Sequence, residues 1–89
     1  MVRVVFPRVL ERHVACPPVD VAAATVRQAL DAAFAQLPQV RGYVLDDQGA
    51  LRHHMMVFVD DAPVRDRAGL SDRVRPETTV HVFQALSGG

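Results

Sequence analysis

One stretch of this 89-residue chain constrains everything around it. Val26, Leu30, Ala33, Phe34 and Leu37 recur at three- and four-residue spacing, while Arg27, Gln28 and Asp31 turn the other way; this predicts one amphipathic helix with one buried face. Thr25 followed by Gln28 reads as a capping box that starts the helix, and Pro38 stops it. The remaining apolar segments are too short and too β-branched for helices, so the stripe must be laid against a sheet.

Four segments supply that sheet. Val2 to Phe6, closed by Pro7, opens the chain as a strand, and Val19 to Ala22 follows the block made by Pro17-Pro18. Met55 to Val59 is the third, ended by Asp60-Asp61 and Pro63, and Thr78 to Phe83 is the last. Between helix and third strand lies a turn-rich connection in which Tyr43 to Leu45 reads as a short edge segment. Gly69 to Pro76 reads as loop or a single tight turn. The class expected is α+β: a β-grasp, with one main helix on one face of a mixed sheet and the two terminal strands in the middle. Residues 1–83 form the domain. Residues 84–89 (Gln84-Ala85-Leu86-Ser87-Gly88-Gly89) lack periodicity and are expected to be a flexible tail.

Charge excludes some partners. Ten basic and ten acidic residues cancel, so no field attracts a phosphate backbone, and nucleic acid is not expected. All ten basic residues are Arg. A GC-rich codon supply accounts for that, although a chain activated at a carboxylate would also gain from lacking amines. The lone Cys16 cannot close an internal disulfide, and no apolar run suits a signal peptide or membrane span. A cytoplasmic protein without a membrane partner is expected.

Gly88-Gly89 is the feature with a definite chemistry. A carboxylate is a poor acyl electrophile and must be activated, for example as an acyl-adenylate, before sulfur or nitrogen can attack it. Two residues without Cβ make the thinnest chain end, one that threads a tunnel where any side chain would jam. Five stretches carry a resemblance: Phe6-Pro7-Arg8-Val9-Leu10, Ala24-Thr25-Val26, Leu51 to Val59, Asp60 to Arg65, and Thr79 to Gly89. In these the chain resembles the MoaD/ThiS family of ubiquitin-like sulfur carriers.

The resemblance implies that Gly89 is adenylated by an E1-like enzyme and converted to a thiocarboxylate that donates sulfur in biosynthesis. Gly88 would keep the approach narrow, and Ala85, Leu86 and Ser87 would make backbone contacts in the partner's channel. ATP would be used by the activating partner, with no cofactor bound here. A sulfur-accepting biosynthetic enzyme would be the second partner. The chain itself would be cosubstrate and not enzyme. The long 39–54 connection resembles the molybdopterin-synthase small subunit and the cysteine-forming carrier, and the Phe6-Pro7-x-Val9-Leu10 opening leans to the latter. Met56 stands where the family usually has Asn. Asp60-Asp61 replaces an Asn-Gly turn and has no Gly for positive φ. A ubiquitin-like modifier joined to lysines through Gly89 is the alternative, and a plain regulatory β-grasp domain the third possibility.

Alternation along the strands sorts the remaining candidates. Val57, Val59, Val80 and Val82 form the helix-facing set, leaving Met56, Phe58, His81 and Phe83 on the open face, where an apolar patch marks an interaction surface. The competing expectation is that the Tyr43 to Arg52 connection covers Phe58 and Phe83. His53, His54, Met55 and Met56 are soft-metal ligand types, but neighbours alternate across a strand, and no metal site is expected. Cys16 reads as a small apolar loop residue. Asp46-Asp47 and Asp60-Asp61 read as turn residues.

Overall fold

A computed structural model of the chain describes residues 1–85. Seven elements follow one another: β1 (Val2–Val5), β2 (Val19–Val21), α1 (Val26–Gln36), α2 (Arg41–Val44), β3 (Met55–Val59), β4 (Ala62–Pro63) and β5 (Thr79–Gln84). The strands make one sheet in the order β2-β1-β5-β3-β4. β1 and β5 pair in parallel, with Val4 beside Val80, and every other pairing is antiparallel. The two terminal strands therefore lie inside the sheet, and α1 crosses one face, as the β-grasp expectation requires.

Why α1 starts and ends where it does can be read bond by bond. Thr25 accepts the Gln28 N–H on its hydroxyl, as in a capping box, while the Gln28 side chain reaches one residue further back and accepts the Ala24 N–H. The first two helical N–H groups, of Val26 and Arg27, donate to the carbonyls of Asp72 and Leu70. The loop after β4 thus satisfies donors that a helix start leaves orphaned. Leu70 reaches this position with φ of 54°, unusual for a bulky side chain, and its side chain is wholly buried. At the other end Leu37, preceding Pro38, leaves helical geometry with ψ of 67°.

The core lies between α1 and the sheet. Val26, Ala29, Leu30, Ala33 and Phe34 from the helix meet Val2, Val4, Val57, Val80 and Val82 from the strands, all buried. Phe6 and Phe34 pack at 5.9 Å between ring centroids. Val59, assigned to the same face, is only partly buried, packed against this core from its rim.

Four details correct the sequence reading. Tyr43 to Leu45 is not an edge segment: Pro38–Val40 makes a 3₁₀ turn that runs into α2, and only Leu45 forms an isolated bridge, with Leu51. Pro38 ends one helix but, as a residue preset for a first helical turn, also starts the next. Arg8–Arg12 is a 3₁₀ turn burying Leu10, where no element was expected. β4 was also unforeseen, and β5 runs through Gln84, one residue into the expected tail. Leu86, Ser87, Gly88 and Gly89 lie outside the described residues.

Candidate functional site: the open face of the sheet

The antiparallel register of β3 and β5 sets Met56 opposite Phe83 and Phe58 opposite His81, with all four side chains on the face that α1 does not cover. Phe83 is 45% exposed and Met56 36%, while Phe58 and His81 are half-buried. Phe58 meets Phe83 edge to face at 5.5 Å and 88°. His81 lies flat against Phe83, with ring centroids 5.6 Å apart and planes within 8°. These are favoured aromatic geometries, each contributing about 0.5–1.5 kcal/mol, so the patch holds its shape without a cover.

The Tyr43 to Arg52 connection does not provide that cover. Val44, Leu45 and Leu51 from it are buried in the core, and Tyr43 stacks on His13 at 5.9 Å.

The β3–β4 turn closes one end of the patch. Asp60 has φ of 53°, so the position that resembles Asn-Gly in the family takes its positive φ on an aspartate. Asp is among the few non-glycine residues that occupy this region readily. Its N–H donates to the Thr79 carbonyl and its carboxylate accepts the Thr79 N–H, tying the turn to the start of β5. Phe58, Asp60, Asp61, His81 and Phe83 together line a shallow depression of about 350 Å³. Asp60 and Asp61 were read as turn residues, which they are; that they rim the aromatic patch follows only from the β4 hairpin.

The opposite end leads toward the chain terminus. Ala85, past the last strand residue, donates its N–H to the His54 carbonyl at 2.8 Å and so extends the β3–β5 ladder. The path to Leu86, Ser87, Gly88 and Gly89 therefore starts from the strand that carries Phe83.

The other candidates separate from this site. Cys16 is buried, and burial first, then the charge of Glu11, pushes its thiol pKa up, which suits an inert core residue. His53 and His54 meet edge to face at 5.6 Å, but among the described residues no three His, Cys, Asp or Glu side chains converge as a metal site would need. No described helix is long and apolar enough to cross a membrane.

Comparison with solved structures decides the fold. The chain superposes on the carrier chain of the Amycolatopsis orientalis BexX/CysO complex with TM-score 0.83 and 26% identity, over 100% of both chains. The chain is a ubiquitin-like β-grasp protein. This ubiquitin-like chain also matches small archaeal modifier protein 1 from Haloferax volcanii, with TM-score 0.76 and 27% identity over 99% of this chain and 98% of that one. CysO of Mycobacterium tuberculosis shares the fold at TM-score 0.81 and 21% identity, over 97% of this chain and all of that one. The fold that these neighbours share is the ubiquitin-like one that the MoaD/ThiS resemblance of the sequence implied. No family model and no curated protein matches the sequence.

Proposed function

We propose that this ubiquitin-like protein is a sulfur carrier that works through the carboxylate of Gly89. The observation that carries the proposal is the full-length match to CysO, combined with a sequence whose last strand leads into Gly88-Gly89. In the proposed reaction the Gly89 carboxylate attacks the α-phosphorus of ATP in an E1-like partner and releases pyrophosphate. Hydrosulfide then attacks the acyl carbonyl; the C–O bond to AMP breaks and AMP leaves. The product is a thiocarboxylate, and the hydrosulfide proton goes to solvent. The chain supplies the acyl group and the docking surface. The adenylating chemistry belongs to the partner, so the chain is not an enzyme and binds no cofactor.

The open face fits this task. An exposed aromatic patch on the strand that leads to the reacting end lets one partner hold the domain and take the terminus together. A sulfur-accepting biosynthetic enzyme is the second partner in this reading, and the neighbour CysO is itself seen in complex with BexX. ATP and reduced sulfur donors place the reaction in the cytoplasm. The second reading is a modifier that forms isopeptide bonds through Gly89, favoured by the match to the archaeal modifier protein.

Intact-mass measurement separates the two. The untagged protein, incubated with an E1-like enzyme, ATP and a sulfur donor, should gain one sulfur in place of one oxygen, and a variant lacking Gly88-Gly89 should not. Attachment to larger proteins would favour the modifier. No change of either kind, with the enzyme active on another carrier, would overturn both.

A further inference from the structure

The depression beside the aromatic patch has a mixed character that an apolar partner alone would not satisfy. It is lined by the rings of Phe58, His81 and Phe83 together with two acidic residues, Asp60 and Asp61. One oxygen of Asp60 accepts the Thr79 N–H; among the described residues its other oxygen and the whole Asp61 carboxylate have no hydrogen-bond partner. Of the other turn and strand aspartates, Asp20, Asp46, Asp66 and Asp72 bond to nearby groups and, among the described residues, Asp47 does not, but Asp60 and Asp61 are the ones that line the depression beside the aromatic rings. The sole ion pair among the described residues, Arg3 with Asp20, lies elsewhere on the sheet. Two adjacent carboxylates without a cation, next to an exposed aromatic pair, make a surface that repels a purely apolar or acidic partner. Covering the carboxylates would strip their water with nothing in return.

We infer that this slot receives an arginine side chain from the protein that docks on the open face. The inference rests on the reading of that face as a docking surface. A guanidinium is the group that meets both halves of the slot at once. Its plane stacks on an aromatic ring, and its fork of N–H donors reaches two carboxylate oxygens. A lysine ammonium satisfies the charge but does not stack. A leucine satisfies the rings and leaves the carboxylates dry. The slot therefore fixes which way round the partner sits, with its cation at the β3–β4 turn and its channel at the Ala85 end of β5.

The test needs no partner, so it stands or falls apart from the sulfur chemistry. The probe is arginine amide, titrated into the isotope-labelled full chain and followed by amide and side-chain NMR, with citrulline amide and leucine amide as uncharged comparisons. The expected result is a saturable shift of Phe58, Asp60, Asp61, His81 and Phe83 with arginine amide. Citrulline amide should shift them at least tenfold less at equal concentration. Asp61→Asn, and Asp60→Asn with Asp61→Asn, should remove the response while the rest of the spectrum is unchanged. Should the double variant disturb the turn, the single Asp61→Asn variant still decides. Equal shifts with citrulline or leucine amide, or arginine shifts spread over other acidic residues, would falsify the inference.

Discussion

Asp60 and Thr79 hold each other by two hydrogen bonds that run in opposite directions: the Asp60 N–H donates to the Thr79 carbonyl at 2.9 Å, and the Thr79 N–H donates to the Asp60 carboxylate at 3.0 Å. The pair anchors a turn with positive φ to the start of the last strand. Asp60→Ala keeps neither the carboxylate nor a residue at ease with that φ, and should cost about 1–2 kcal/mol. Asp60→Asn keeps an acceptor oxygen for the Thr79 N–H and the ease with that φ, and should lie within about 0.5 kcal/mol of the wild type. Urea midpoints at unchanged slope read the difference.

Arg27 clamps two loops at once. Its guanidinium donates to the carbonyls of Gly49, Ala68 and Gly69 at 2.6, 3.1 and 3.3 Å. Lysine cannot reproduce this fan, so Arg27→Lys should lose about 1–2 kcal/mol. Hydrogen exchange should quicken in residues 46–51 and 66–70 and stay unchanged in β1. A uniform change across the chain would point to global destabilisation instead.

The Asp66 carboxyl is held below its ordinary value of 3.8, first by the Ser71 hydroxyl and then by the N–H groups of Gly69 and Ser71. The folded pKa is therefore lower than the unfolded one, and the stabilisation is fully present above the unfolded value. It is lost as pH falls through the folded value. The stability gap between wild type and Asp66→Asn should be constant from neutral to mildly acid pH and shrink below 3.8. A gap that grows on acidification would contradict this. Gly69→Ala should disturb the same loop at every pH, because a Cβ there would stand 2.7 Å from the Asp66 carboxylate.

Substitutions at two apolar residues, one buried and one exposed, should behave oppositely. Leu30 is wholly buried, and Leu30→Ala should cost about 2–5 kcal/mol, a large part of the 5–15 kcal/mol that holds a typical domain. Phe83→Asp, at the most exposed ring of the patch, should cost at most about 1.5 kcal/mol. It should nevertheless weaken binding of the E1-like enzyme measured by calorimetry. Unchanged binding would remove the open face from the docking reading.

Much of this was legible because period and punctuation agreed. The stripe from Val26 to Phe34, capped by Thr25 and stopped before Pro38, has one reading, and the alternation of Met56 and Phe58 with Val57 fixed which residues face outward. The missed elements share a cause: each is too short to show a period. Arg8–Arg12 and Pro38–Val40 are single 3₁₀ turns, and Ala62–Pro63 is a two-residue strand joined to β3 by an aspartate turn that lacks the usual glycine. Asp60 could be read as a turn residue but not as one wall of a slot, since that depends on the hairpin folding back beside Phe58. The unusual φ of Leu70 left no local signal either, because it is set by the start of α1, far away in sequence.

The parallel pairing of β1 with β5 bears on how the chain is made. Arg3 finds its neighbour Thr79 only after almost the whole described chain has been synthesised, so the middle of the sheet cannot close on the ribosome ahead of its last strand. Before that moment β1 and β3 each lack the strand that should lie between them. A nascent chain halted before Thr79 should thus be a substrate for proteases and not a stable fragment. A molecule folded enough to be recognised has therefore already been translated through β5.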